Sequence, residues 1–228
     1  MNILMYDNVI IIPYRQRESH LKSFINDVVP IFRKYLNPFK LVIVEQEDGK
    51  LFNRGRLLNI AFTEYKDTAR FFITQDVDTF PLDNCVKKMY GNNLYDVLRI
   101  FNGHDSSLGG ICKLSRDAVF AINGFPNHIW GWGIEDRALY YRCKIMNVNM
   151  SPNMSNSNNF RILPHKTNVV TYTDAKKGIS DLENEIFQCT DEERKRAHIL
   201  SSGLNMMEYS IIERTAIADD IDWIKVSI

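Results

Sequence analysis

Three short apolar runs, Val9 to Ile12, Lys40 to Glu45 and Arg70 to Thr74, alternate with two stretches whose apolar residues recur at helical spacing. The first stretch, Glu18 to about Tyr35, puts Leu21, Phe24, Ile25 and Val28 on one face, and the second runs from Arg56 to Tyr65. Strands that alternate with helices pair in parallel through helical crossovers, so the chain is confined to an α/β architecture. Ligands of such sheets collect beyond the carboxyl ends of the strands. Pro13 to Arg17, Gln46 to Arg54 and Asp76 to Asp78 all fall there, with Pro13 closing the first strand.

The second half is less regular. Ser115 is expected to cap a short helix to Ile122, and Glu135 to open another that buries Leu139, Cys143 and Met146. Thr190 and Glu193 fit a capping box for a helix toward Leu200, which Gly203 ends. Ser151 to Asn159 and Thr171 to Gly178 read as polar loops. With 228 residues, 45% of them apolar, and no linker or repeat, the expectation is one domain spanning 1–228.

Charge and cysteine usage exclude several classes. Basic and acidic residues balance at 28 each, which offers nothing to the phosphate backbone of a nucleic acid. No apolar run approaches the roughly 20 residues of a membrane span, and the first ten residues lack the pattern of a signal peptide. Cys85, Cys112, Cys143 and Cys189 show no CxxC spacing and are expected to be free thiols in a reducing, cytoplasmic compartment.

Two segments carry the chemistry. Gly109 to Arg142 combines Trp130 and Trp132 with tight-turn glycines and the adjacent acids Glu135 and Asp136. Flat aromatic faces bind pyranose rings, glycines admit a ligand close to backbone, and a carboxylate can take a proton from a hydroxyl. Asp76-Val77-Asp78, just past an apolar strand, is where α/β nucleotide enzymes hold a metal and its phosphates. Read alone, each feature has a plainer meaning: acids capping a helix, tryptophans in a core, a polar turn after a strand. Together they reach a nucleotide-binding α/β enzyme.

FNRGRLLNIAF at Phe52 to Phe62, DVDTFP at Asp76 to Pro81, INGFPNHIWGWGIED at Ile122 to Asp136 and SGLN at Ser202 to Asn205 closely resemble, in order, motifs of the β-1,4-galactosyltransferase family. PYRQRESHL at Pro13 to Leu21 is similar to that family's first nucleotide-binding segment, so the resemblance runs from Val9 to about Ile212. It implies a GT-A fold with a mixed central sheet, and inverting, metal-dependent transfer of a hexose from a UDP-sugar to a glycan. The nucleotide part would reach about residue 82, and the acceptor and lid part would cover about 100–212.

The resemblance also implies roles. Pro13, Arg15, Arg17, Phe52, Arg54, Asp76, Val77 and Trp132 would bind the UDP-sugar, and Asp78 with His165 would hold manganese. Asp136 would be the base that deprotonates the acceptor, with Glu135 beside it, and a helix N-terminus there favours a carboxylate's charge. Trp132 and the loop from Leu163 to Lys177 would close when donor and metal bind. Ser107, Gly110, Trp130 and Arg137 would set specificity.

Departures from the family pattern bear on that specificity. Ile162 replaces a methionine ligand, and Arg137 replaces a third acid of the GWGGEDDD segment. Ser107 stands for a tyrosine of galactose-specific members, which would admit UDP-N-acetylgalactosamine as well as UDP-galactose. Phe71 and Tyr90 occupy the places of a family cysteine pair, which favours the cytoplasm over a Golgi enzyme separated from its anchor. A catalytically silent sugar-nucleotide or glycan-binding protein and a metal-dependent hydrolase are the competing readings.

Overall fold

The computed structural model describes residues 6–102, 104–131, 133–164 and 174–228. Its centre is a seven-stranded sheet among these residues, in the order β5-β6-β3-β1-β2-β9-β8. Strands β1 (Tyr6–Tyr14), β2 (Phe39–Gln46) and β3 (Ala69–Thr74) are the three expected from the apolar runs, and they pair in parallel. Buried on both faces, they need apolar residues at consecutive positions. Val9 and Ile11 with Val42 and Val44 face one core, while Ile10 and Ile12 with Leu41 and Ile43 face the other.

Helices α1 (Glu18–Asp27) and α2 (Val29–Tyr35) supply Phe24 and Phe32 to the second core. The expected single helix is thus two. Pro30 in the first turn of α2 has no N–H to bond back into α1, so the chain breaks at Val28. Helix α3 (Arg54–Glu64) packs Leu57, Leu58 and Phe62 into the first core. It begins two residues before the expected Arg56, because Asn53 caps it by accepting from the Arg56 N–H. Strand β1 continues through Pro13 to Tyr14, since its register with β3 ends at Ile11 and leaves β2 as the only partner there among the described residues.

After β3 come β4 (Thr79–Pro81), a short helix α4 (Asp83–Cys85) that widens into a turn to Tyr90, and β5 (Val97–Phe101). Strand β6 (Ile111–Ser115) pairs antiparallel with both β3 and β5, so the sheet is mixed. Ser115 caps α5 (Arg116–Ala121) as expected. Helix α6 (Glu135–Ile145) buries Leu139 and Cys143, while Met146 is its half-buried last cap. Strand β7 (Phe160–Ile162) pairs with β4.

Helix α7 (Asp174–Gln188) occupies the end of the segment expected as a loop up to Gly178. Helix α8 (Glu192–Leu200) is capped by Asp191 and not Thr190: the Asp191 carboxylate accepts from the N–H groups of Glu193 and Arg194. The hairpin of β8 (Ser210–Ala218) and β9 (Ile221–Ser227) had no counterpart in the periodicity reading, and β9 joins the sheet parallel to β2. No helix among the described residues is long and apolar enough to cross a membrane. The four cysteines are free thiols, three of them buried.

The INGFPN and SGLN segments clamp one another. Asn59 pairs both ways with the Phe125 backbone, at 2.8 and 2.9 Å, and Asn123 donates to Ile199 O and Asn205 Oδ1. The buried Arg142 guanidinium donates to the carbonyls of Asn123, Gly124 and Ser202 at 3.2, 3.0 and 2.7 Å. Gly124 has φ +61°, and a Cβ there would lie 2.3 Å from Asn59 Oδ1, so only glycine fits. Arg142→Met should therefore leave three buried carbonyls without this donor and lower stability by about 3 kcal/mol, with Asn123→Ala smaller. Denaturant midpoints measured at constant m-value check both, and an Arg142→Met midpoint equal to the parent's would show that the clamp contributes nothing.

Candidate active site

The candidate residues gather where β1, β2 and β3 end and β6 and α6 begin. Asn53 is fixed first: its N–H donates to Gln46 Oε1 and its Nδ2 to Asn127 O, each at 2.9 Å. This places Arg54 at the first position of α3, pointing across the strand ends. Its Nε and Nη2 donate to Asp76 Oδ1 at 3.2 and 3.0 Å, and Nη2 also reaches Gly110 O at 3.0 Å. One side chain thereby joins α3, the end of β3 and the entry to β6.

The electrostatics are those of a crowded acid cluster. Burial opposes the charge on Arg54, yet Asp76, Glu135 and Asp136 outweigh it and raise its pKa. Burial raises Asp76 above the usual carboxylate range, with Arg54 pulling the other way and the charges of Asp78 and Asp136 adding to the rise. Burial, then the like charge of Asp136, pushes Glu135 up to about 7. Glu135 Oε2 and Arg54 Nη1 are buried without a hydrogen-bond partner. Three carboxylates, Asp76, Glu135 and Asp136, thus act on one guanidinium and Asp78 adds its charge beside Asp76, an excess of negative charge that a cation would complement.

Asp136 is held at both oxygens. Ser107 Oγ donates to Oδ2 at 2.7 Å and the Arg137 N–H to Oδ1 at 2.8 Å. A Cβ on Gly109 would lie 2.3 Å from Asp136 Oδ2, and one on Gly110, at φ +70°, 2.6 Å from Phe101 O. Gly109 therefore lets the first turn of α6 approach the entry to β6, and Gly110 lets that entry lie against the end of β5. The lead into α6 has positive φ at Gly131 (74°), Gly133 (89°) and Ile134 (82°). For a β-branched residue this is an outlier, and such strain concentrates at functional sites. Ile134 stands where the GWGGEDDD segment has glycine.

The remaining candidates separate into those at the cluster's edge and those elsewhere. Arg15 lies over the Phe52 ring at 5.3 Å and donates to Lys50 O at 2.7 Å. Arg17, half-buried, stands at the N-cap position of α1 with no capping bond from its side chain, and Pro13 and Val77 are buried. Asp78 is half-buried, and its carbonyl accepts from the Leu163 N–H at 2.8 Å, so the β4–β7 pair brings residues 162–164 to it. Ile162, opposite Thr79, is exposed. The Trp130 ring is flanked by Lys50 at 5.7 Å and Arg56 at 5.8 Å and packs on the first core. The Arg137 side chain is exposed.

His165 and Trp132, and most of the expected closing loop, lie outside the described residues. Among the described residues no three His, Cys, Asp or Glu side chains form a metal-holding group. Periodicity and motif reading missed the Ser107 contact to Asp136, the strained Ile134 and the Arg142 clamp. Asn53 did carry a signal, as a cap residue directly before a helical pattern.

Two family models match consecutive parts of the chain: the N-terminal region of glycosyl transferase group 7 over residues 4–92, and the N-terminal domain of galactosyltransferase over residues 95–166. β-1,4-Galactosyltransferase 2 of Cricetulus griseus is 32% identical over 172 residues, 68% of this chain and 45% of that protein. β-1,4-Galactosyltransferase 1 of Bos taurus is 29% identical over 212 residues, 90% of this chain and 50% of that protein. The chain thus spans about half the length of the curated relatives it matches. Among solved structures, Drosophila β-1,4-galactosyltransferase 7 in complex with manganese, UDP-Gal and xylobiose superposes with a TM-score of 0.78, at 20% identity, over 98% of this chain and 94% of that one. That likeness establishes the GT-A fold. Fold, ordered motifs and matched family models agree, and the chain belongs to the β-1,4-galactosyltransferase family.

Proposed function

We propose that the chain transfers galactose from UDP-galactose to a hydroxyl of a glycan acceptor, with inversion at the anomeric carbon. The observation that carries this reading is Asp136, fixed at both oxygens beside a glycine backbone at the ligand edge of the sheet. The acceptor hydroxyl gives its proton to Asp136 as its oxygen bonds to the anomeric carbon. On the opposite face the bond from that carbon to the diphosphate breaks, and its electron pair leaves with UDP. Relatives named β-1,4-galactosyltransferase, and the Drosophila complex with UDP-Gal and xylobiose, support the donor and the glycan class of acceptor.

The other residues bind and orient. Arg15 stacked on Phe52 suits a uracil ring, Pro13, Asp76 and Val77 would contact the nucleoside, and Arg17 and Arg54 would meet the diphosphate. Glu135, with an unpartnered buried Oε2, offers a hydrogen bond to a hydroxyl of the donor sugar. Trp132 would cover the donor, with Gly110, Trp130 and Arg137 around the acceptor side. The small Ser107 leaves room for a 2-acetamido group, which makes UDP-N-acetylgalactosamine a second donor. The nucleotide part would then run to about residue 82, with the acceptor and lid part over about 100–212. Four free thiols support a reducing, cytoplasmic setting.

The excess of carboxylates fits a divalent cation. Asp78 and His165 would hold manganese, which when bound offsets diphosphate charge and improves UDP as a leaving group.

Manganese-dependent release of UDP from UDP-galactose, rising with a glycan acceptor, tests the whole reading. Asp136→Asn should lower kcat by about 10²- to 10⁴-fold, and Asp78→Asn should lose activity while folding normally. Release that ignores the acceptor would indicate a hydrolase, and no release with intact UDP binding would indicate a silent binder.

A second expectation concerns pH. Glu135 protonates near 4.5 when unfolded but near 7 in the fold, so the folded state binds the extra proton between these values. Its burial penalty is absent below about 4.5 and complete above about 7, so stability should fall as pH rises through that window. Glu135→Gln should flatten this part of the pH profile of Tm. An unchanged slope in the variant would reject the assignment.

A further inference from the structure

We infer that Ser107 is a positioning residue for the proton acceptor Asp136, an assignment that rests on the galactosyl-transfer reading above. A serine hydroxyl has one proton to give. Here it goes to Asp136 Oδ2 at 2.7 Å, while Ser107 Oγ itself accepts from the Gly109 N–H at 3.1 Å. Ser107 is only 8% exposed, so water does not readily take the hydroxyl's place.

The surroundings are built for that one contact. The Leu108 N–H donates to the carbonyl of Asp136 at 3.1 Å, which ties the segment to the first turn of α6. The space that Oδ2 occupies exists because residue 109 has no Cβ, which would sit 2.3 Å away. The charged and titratable groups facing Asp136 are Glu135 on its own helix, Asp76 past β3, Arg54 on α3 and Cys112 on β6. Two of these are acids that repel it, and the hydrogen bonds that Arg54 makes go to Asp76 and Gly110. The neutral Ser107 hydroxyl is what keeps Oδ2 over Gly109. Without it, Oδ2 loses this donor, the Arg137 N–H still holds Oδ1, and the carboxylate can turn about that one contact from the direction in which the acceptor hydroxyl arrives.

This role is separable from any part Ser107 plays in choosing the donor. Alanine keeps the small volume and deletes the hydroxyl, whereas threonine keeps the hydroxyl. Ser107→Ala should lower kcat by about 10- to 100-fold, leave the KM for UDP-galactose within about twofold of the parent, and leave the galactose to N-acetylgalactosamine preference unchanged. Ser107→Thr should recover most of the rate. A parental kcat in Ser107→Ala, or a loss confined to donor KM or donor preference, would overturn the assignment. Crystal structures of the parent and Ser107→Ala supply a readout that needs no turnover: the Asp136 carboxylate should stay over Gly109 in the parent and leave it in the variant. If the parent shows no acceptor-dependent release of UDP, the transfer reading fails. An Asp136 unmoved in Ser107→Ala overturns the positioning role whatever the activity.

Discussion

Everything at the ligand edge depends on one guanidinium. Arg54 brings a positive charge among Asp76, Glu135 and Asp136, and its two bonds to Asp76 and one to Gly110 O draw three elements together. Acids this close repel one another strongly when dehydrated. The end of β3, the start of β6 and the first turn of α6 can converge only because Arg54 stands between them. Its own placement is set by Asn53, which is held by Gln46 at the end of β2. A chain of contacts thus leads from a strand end, through a helix cap, to the electrostatic centre.

The motifs that mark the family divide by physical task. The DVD and WGWGIED segments deliver carboxylates. INGFPN and SGLN deliver no chemistry to the cluster and instead lock α3, α6 and α8 to one another through Asn59, Asn123 and Arg142. Asparagine suits this work, since one amide both donates to and accepts from backbone where no strand or helix pairs it. Lys113 has a comparable structural part. It is buried, donates to Tyr90 O and Asn93 Oδ1 at 2.6 Å and lies over Phe71. Phe71 and Tyr90 are therefore joined through an amine, and burial pulls that amine down to about 7.

What was legible in the amino-acid sequence followed local rules. Strands β1 to β3 announce themselves because parallel strands covered on both faces must be apolar without interruption. Strand β9 does not, because Asp222 and Lys225 interrupt it, and both find distant partners in Lys40 and in Glu45 and Glu47. Pro30 and Asp191 were visible as helix breaker and cap, and a longer periodic pattern or a tempting Thr190–Glu193 pair hid them. At the site, residue types could be read but pairings could not. Ser107 meets Asp136 across 29 positions, and Arg54 meets Gly110 across 56, so no local spacing records either contact.

Ile134 gives the site a property beyond its composition. Glycine would enter its backbone conformation freely, but a branched side chain holds it at a cost of about 1–3 kcal/mol, which its packing against Ile129 and Ala138 must offset. Glu135 and Asp136 follow directly in the chain. Any return of this one torsion to negative values would swing the opening turn of α6, and both acids would travel with it. Asp136, the proposed proton acceptor, is therefore mounted on a loaded joint, and its aim and the path of the backbone before it can change only together.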